Sequence, residues 1–313
     1  MDLSIIIVNW HSSDYLRKCL NSLSKNINEI SFEVIVVDNA SYDDCEEMIR
    51  AEFPSVRFIQ SGENMGFAKA NNLGYSHSTG NTLLFLNPDT EVIDFAVKSM
   101  YSSLQSIRDA GIVGCRLLNS DLSVQLSCIQ PATTILREIV ISEYLMLRFP
   151  KLKFWGIRPL LYYQGYPEEV EGVIGACLMI TRKTFEKVGK FNEEYFMYAE
   201  DMEICSKVKK LGYKIYFVGN AEIIHHGGKS SIKQEENCAH VIIMFESTLK
   251  YLTKNKSKFY AVVYRIAIGC IALLRLSFIK ILLFFLTKHA NNDKLVIASR
   301  KWQKLFLCSI GLS

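Results

Sequence analysis

Several stretches of the chain carry residues whose type and spacing suit chemistry. Between Asn81 and Val92 an apolar run, Leu83 to Leu86, stops abruptly in Asn87, Pro88, Asp89, Thr90 and Glu91. Asp89 at the carboxyl end of such a run is poised to hold a divalent cation against a phosphate, or else to cap the next helix. Asp38 closes a second apolar run, Phe32 to Val37. There it could accept from the N3–H of a uracil or thymine ring, or again cap a helix, a role that Asp43 and Asp44 also suit. Glu200-Asp201 follows the aromatic residues Phe196 and Tyr198 and opens a helix striped by Ile204, Val208 and Leu211. Near that N-terminus the helix dipole keeps the Asp201 carboxylate ionised and usable as a base, and an N-cap is its other reading. His225-His226-Gly227-Gly228 offers imidazoles for a metal or a phosphate.

These residues need elements to position them. Four consecutive apolar residues before Asn87 predict a strand buried on both faces, and Pro88, lacking an N–H, ends its ladder. Leu3 to Val8 predicts a first strand ending at Asn9-Trp10-His11. Ser12, Ser13 or Asp14 then caps a helix with Leu16, Cys19, Leu20 and Leu23 on one face. A strand over Phe32–Val37, a helix over Asp43–Glu52 and a strand over Val56–Ile59 continue the alternation. That predicts a parallel sheet with right-handed crossovers.

In Glu63–Asn81, Gly66 permits close backbone approach, Lys69 could face a diphosphate, and Asn71 and Asn72 are poor helix formers. The chain has neither G-x-G-x-x-G nor G-x-x-x-x-G-K-[ST], which argues against a dinucleotide dehydrogenase and a P-loop enzyme. A helix over Phe95–Ile107 and a strand over Gly111–Leu118 come next. The stretch Asn119–Glu171 is the least regular. Its Phe149, Phe154, Trp155, Tyr162, Tyr163 and Tyr166 line an acceptor site, touch a membrane or form a satellite core. Gly172–Thr181 predicts a strand whose small first residues let a sugar approach the backbone. A helix with Phe185 and Val188 ends at Gly189, and short strands over Ile215–Val218 and Glu222–Ile224 deliver the histidines.

At 313 residues the chain can bury one large core or two modest ones. A formal net charge of +4 is too small to argue for nucleic acid. The nine cysteines show no C-x-x-C pair and no zinc spacing. Apolar neighbours around Cys115, Cys177 and Cys270 suggest buried, reduced thiols and a cytosolic chain. The opening MDLSIIIVNW lacks a basic n-region and a cleavage site, so no secretory signal is expected. Beyond about residue 250 the composition shifts toward Leu, Ile, Phe, Lys and Arg. In Lys254–Leu307, Arg265, Arg275 and Lys280 keep each apolar run below the ~18 residues of a spanning helix. At ~100° per residue those charges share one sector, which predicts a helix lying in a membrane surface. A helix packed on the preceding domain and a re-entrant hairpin are the alternatives.

Taken together, SIIIVNW, EVIVVDNAS, ENMGFAKANNLGY, LLFLNPDTEV, GACLMITRKTFEKVGKFNEEYFMYAEDMEICSKVKKLGY and IIHHGGKSS resemble family 2 glycosyltransferases over Ser4 to about Ser231. The resemblance is to the branch that includes bacterial rhamnosyltransferases for cell-surface polysaccharides. It implies a GT-A fold: an α/β, Rossmann-like mixed and mainly parallel sheet with helices on both faces. The catalytic domain would span residues 1–250, with a nucleotide-binding half to about 118 and an acceptor half over 119–250, followed by an amphipathic helical region over 251–313. The implied donor is a nucleotide sugar, dTDP-rhamnose favoured and a UDP-hexose as alternative, with Mg²⁺ or Mn²⁺ as cofactor.

By this resemblance Val8, Asn9, Asp38, Asn39, Asn64, Gly66, Lys69, Asn87, Gly175 and Ala176 frame the donor. Asp89 matches the metal-binding member of a D-x-D-type motif, with Asn87 where many relatives carry the first Asp and Glu91 left as a surface residue. His225 matches a further metal or diphosphate ligand, while His226 falls at a variable position. Asp201 matches the catalytic base, with Glu200 as its competitor. A single displacement with one base inverts the anomeric carbon. The acceptor would be a lipid-linked saccharide or polysaccharide, and the enzyme peripheral on the inner face of the cell membrane. Among rival classes, a sugar nucleotidyltransferase would open with a Gly-rich loop, which SIIIVNWHSSDYL lacks. A non-catalytic nucleotide-binding homologue would not need both Asp89 and Asp201.

Overall fold

Leu3–Asn9 (β1) has no exposed apolar flank: strands pair on both its edges and its apolar side chains are buried or half-buried. It is followed by helix α1 (Ser13–Asn26), whose buried stripe is Leu16, Cys19, Leu20 and Leu23, the face its spacing predicts. Then come β2 (Phe32–Asp38), α2 (Cys45–Glu52), β3 (Arg57–Gln60), α3 (Gly66–Ser76) and β4 (Thr82–Leu86). Next are β5 (Thr90–Val92), α4 (Ala96–Ser106), β6 (Ala110–Leu118), a 3₁₀ turn (Leu126–Cys128) and α5 (Ile135–Val140). The chain continues through β7 (Glu168–Val170), β8 (Cys177–Thr181), α6 (Arg182–Lys187), α7 (Glu200–Lys210) and β9 (Lys214–His225). Helices α8 (Asn237–Asn255), α9 (Lys258–Phe285) and α10 (Asp293–Ser309) complete it. The structure is a computed structural model that describes residues 1–27, 29–140, 148–149, 155–156, 160, 165–227, 237–285 and 293–312.

Among the described residues one mixed sheet has the order β3-β2-β1-β4-β8-β6-β9-β5, with β7 paired to β9. The β3-β2-β1-β4 half is all parallel, as strand–helix alternation requires. Strand β8 then enters antiparallel to both β4 and β6. The reversal turns the carboxyl end of β4 toward the amino end of β8, so Asn87 and Ala176 meet. Two local expectations change. Gly172–Ala176 is a loop, which leaves the Gly175 N–H free of any ladder and available to a side chain. The two short strands expected around residues 215–224 are one strand, β9. Its register against β6 jumps from Cys115↔Val218 to Arg116↔Glu222, so the turn-like Gly219-Asn220 is absorbed as a bulge.

The chain divides into two compact units, Met1–Ala132 with Arg148–Ser231, and Thr133–Leu147 with Ile232–Ser313. The second unit begins before the expected residue 251 and includes α5, because α8 shares a core with α9 and α10. Val241, Phe245 and Leu252 of α8 pack with Ala261, Tyr264, Ile268 and Ala272 of α9 and Leu305 and Cys308 of α10. Ile135 of α5 packs on that core, and its N–H donates to the Tyr260 hydroxyl at 3.2 Å.

Three sequence readings of the tail are revised. Lys258–Leu283 is long and apolar enough to cross a membrane, because helix continuity does not stop at single arginines. Arg265 and Arg275 turn inward: Arg265 donates to the Ser309 and Cys308 carbonyls at 2.7 and 3.2 Å, capping α10, and Arg275 lies 4.4 Å over the Trp302 ring. Cys270 is exposed on the outer face of α9, since apolar neighbours in sequence share a helix but not a side of it. Of the aromatic crowd, Trp155 is buried and Phe149 and Tyr166 are exposed. Phe154, Tyr162, Tyr163 and Gly228 lie outside the described residues.

Candidate active site

The carboxyl ends of β1, β2 and β4 gather most of the polar residues singled out above. Asp38 is buried at the end of β2 and accepts from the Asn9 amide at 2.8 Å, the Ser41 N–H at 2.9 Å and the Gln60 amide at 2.9 Å. Burial alone would raise its pKa, but the donors from Ser41, Asn9 and Gln60 outweigh it and hold the carboxyl below its ordinary value. Asp38 therefore knits the β1 and β2 ends together, while the cap position of α2 belongs to Asp44. Asn39 extends the network: its amide donates to Asn64 Oδ1 at 2.8 Å, and its own oxygen accepts from the Met65 N–H at 2.9 Å. Asn64 Oδ1 also accepts from the Gly66 N–H at 3.0 Å. Val8 is half-buried at the end of β1, and Lys69 is exposed in the first turn of α3 with no ion pair among the described residues.

Gly66 is irreplaceable on steric grounds. Its φ is +76°, and a Cβ there would lie 2.1 Å from the Phe196 carbonyl oxygen. That oxygen accepts from the Phe67 N–H at 2.7 Å, so the start of α3 is pinned to the loop before α7. Tyr198 and Ala199 both adopt left-handed φ of 67°, and their strain is concentrated immediately before the acidic pair.

Asp89 does not cap a helix. The next element is β5, and α4 starts only at Ala96. Its carboxylate is 3% exposed and lies 3.4 Å from His225 Nε2, its one ion pair among the described residues. Asn87 joins them: its amide nitrogen is 3.3 Å from the same Nε2, and its backbone N–H donates to the Ala176 carbonyl at 2.9 Å. A nearly buried carboxylate beside an imidazole, with no Lys or Arg ion pair among the described residues, is a donor set that fits a divalent cation. Asp38, Asp43 and Cys45 also bring ligand-type atoms within 4.8 Å of one another. There, however, burial pushes the Cys45 thiol up and Asp38 is already saturated with donors.

His226 has a separate environment. Its Nε2 meets Glu91 at 2.7 Å and its Nδ1 meets Ser120 at 2.8 Å, with Tyr15 against the ring. Glu91 is thus half-buried and paired, not a simple surface residue.

The Gly175-Ala176 peptide connects this group to the acidic pair. Gly175 N–H donates to Asp201 Oδ2 at 2.9 Å, while Ala176 receives Asn87. Asp201 is 6% exposed, accepts from the Met202 N–H at 2.8 Å, and accepts from the Gln130 amide at 2.7 Å. The N-cap position of α7 is Ala199, so Asp201 is not the cap. Burial raises its pKa despite the donors from Gly175, Met202 and Gln130. That burial opposes the ionising effect of the helix start read from sequence. Glu200 is pushed well above its ordinary value by burial and then by the Asp201 charge, and its Oε2 finds no hydrogen-bond partner among the described residues. Chemically, the arrangement links a buried carboxylate through the Gly175-Ala176 peptide to a cation-type donor set. Gln125 and Gln130, which grip His225 and Asp201, were missed from the sequence. Both lie in the irregular stretch after β6, where no periodicity marks a side chain's direction.

The fold is a nucleotide-sugar transferase fold of the GT-A type. A mannosyltransferase from Pyrobaculum calidifontis solved with GDP-Man and Mn²⁺ superposes with a TM-score of 0.60 at 13% identity, over 99% of this chain and 86% of that one. Residues 4–189 match the family described as Glycosyl transferase family 2, and the chain belongs to it. Residues 160–228 match a second family, described as the N-terminal domain of galactosyltransferase. The low-salt glycan biosynthesis hexosyltransferase Agl10 of Haloferax volcanii is 28% identical over 72% of this chain and 67% of its own. The N-acetylglucosaminyl-diphospho-decaprenol L-rhamnosyltransferase of Mycobacterium tuberculosis is 25% identical over 82% of this chain and 85% of its own. The protein is a glycosyltransferase.

Proposed function

We propose that the enzyme moves a sugar from a nucleotide-diphosphate donor to a lipid-linked saccharide or polysaccharide acceptor, with inversion and with a divalent cation. The observation that carries this reading is the continuous polar path Asp201–Gly175–Ala176–Asn87–His225–Asp89. It supports a base and a diphosphate site joined through one peptide. Asp201 takes the proton of the acceptor hydroxyl as that oxygen attacks the anomeric carbon. Of the acidic pair it is the better base, because Glu200 is driven further toward its neutral form and leaves the negative charge to Asp201. Asp38, Asn9, Asn39 and Asn64 frame the base and ribose, and Gly66, packed on the Phe196 carbonyl, holds the start of α3 beside them.

Asp89 and His225, with the Asn87 amide beside them, would hold Mg²⁺ or Mn²⁺. When bound, the cation neutralises charge that develops on the leaving diphosphate. The donor reading is dTDP-rhamnose, supported by the likeness to a rhamnosyltransferase, and the hexosyltransferase relative keeps a UDP-hexose as the second reading. The outer face of α9, with Ile266, Leu274 and Phe278 exposed, supports attachment to the inner membrane surface, where a lipid-linked acceptor resides. The test is nucleotide diphosphate release from a panel of nucleotide sugars, with and without chelator. The expected result is chelator-sensitive release from dTDP-rhamnose. Full turnover in excess chelator rejects the cation, and release from another nucleotide sugar but not from dTDP-rhamnose rejects the donor reading.

A further inference from the structure

We infer that Gln125 is the positioning residue that sets the ring tautomer of His225, an inference that rests on reading Asp89 and His225 as the cation site. The assignment follows from which atoms can donate. The Gln125 amide nitrogen lies 2.6 Å from the His225 carbonyl oxygen, and a carbonyl can only accept. The remaining amide atom, Oε1, also only accepts, and it lies 2.9 Å from His225 Nδ1. Nδ1 therefore carries the hydrogen. In the neutral ring this leaves Nε2 as the lone-pair nitrogen, which accepts from the Asn87 amide at 3.3 Å and lies 3.4 Å from Asp89 Oδ1. An unprotonated ring nitrogen is what an imidazole needs to ligate a metal, and the Asn87 amide would give way to the ion.

The grip is built into the backbone. Gln125 donates its own N–H to the Leu117 carbonyl at 2.9 Å, and Leu118 bridges Val124, so the glutamine is anchored to the end of β6 next to β9. Being neutral, Gln125 orients the ring without adding charge to it. The neighbouring histidine is the internal contrast. His226 has both ring nitrogens engaged, by Glu91 and Ser120, and so has no lone pair or N–H to spare. One His-His pair thus divides into a held ligand and a structural clamp, and Gln125 decides which is which.

Two measurements on the full chain test this. Long-range ¹H–¹⁵N NMR of the metal-free parent should show His225 as the Nδ1–H tautomer, and an Nε2–H ring overturns the inference without any variant. Mn²⁺ binding followed by electron paramagnetic resonance in the presence of dTDP should weaken about 10- to 100-fold in Gln125→Met, as loss of an orienting partner does. dTDP binding without metal should be unchanged in that variant, which also reports that it folds. His225→Ala and Asp89→Asn serve as references. If they weaken Mn²⁺ binding and Gln125→Met does not, the inference fails and the cation site stands. If all of them bind Mn²⁺ as the parent does, the cation site itself is misread, and the role of Gln125 falls with it.

Discussion

At the scale of single residues, the acidic pair is the sharpest place to test the chemistry. A positioned base contributes roughly 10²- to 10⁴-fold, so Asp201→Asn should lose about that much transfer rate. Donor affinity should hold, because the proton comes from the acceptor. Glu200→Gln should cost far less, since the Glu200 carboxyl is already driven toward neutrality by burial and by Asp201. Transfer rates and calorimetric donor binding on both variants decide the matter, and parent-like transfer by Asp201→Asn would remove it as base. The same burial has a thermodynamic sign. A carboxyl whose folded pKa is raised above its ordinary value, 4.5 for Glu200, contributes stability that is present below that value and lost as pH rises through the folded pKa. Glu200→Gln should therefore raise Tm at pH 7 to 8 and change it little near pH 4. An equal Tm gain at both pH values would show that Glu200 is ordinary.

At the scale of elements, the start of α3 and the loop before α7 act as one piece. The Phe67 N–H to Phe196 carbonyl bond and the close approach at Gly66 hold the loop before α3 against the segment that carries Asp201. Phe67 also stacks edge-on against Phe191, which packs in turn on Phe85 of β4. Gly66→Ala meets a backbone oxygen and a left-handed φ together, and a backbone cannot rotate aside as a side chain can. The expected loss is about 1 to 3 kcal/mol in urea unfolding, with weaker nucleotide binding in the same variant. Parent-like stability would mean that this approach relaxes at no cost.

At the scale of the whole molecule, the second unit is where the proposed membrane contact is tested. The 28 residues of α9 bury one flank against α8 and α10 and leave Phe259, Val262, Ile266, Leu273, Leu274, Phe278 and Ile281 exposed on the other. Helix α10 carries exposed Arg300, Lys301 and Lys304. Drawing α9 across a bilayer would drag those charges with it, at about 2.5 to 3.5 kcal/mol each on insertion scales. Lying in the surface costs nothing of the kind, which is the ground for the surface attachment proposed above. Cutting the chain near residue 252 would sever α8 within a shared core. Leu274→Glu with Phe278→Glu is the cleaner test, and it should move the protein from the membrane pellet to the supernatant while donor hydrolysis persists. A double variant that still pellets would refute the surface reading.

The sequence by itself determined the parallel half of the sheet and the α1 stripe, because buried strands and amphipathic helices write their burial into local periodicity. It also marked Asp38, Asp89, Glu200-Asp201 and His225, since polar residues at the ends of apolar runs stand out whatever they later touch. Tertiary structure alone decided what each of them touches. The antiparallel entry of β8 brings Ala176 to Asn87 and Gly175 to Asp201, and strand direction is invisible in a single strand's residues. Gln125 and Gln130 reach His225 and Asp201 across 100 and 71 positions of chain, a separation over which no local pattern carries information. The inward turn of Arg265 and Arg275 belongs to the same class. Helical phase placed both charges on one side of α9, and only the docking of α10 on that side made it the interior.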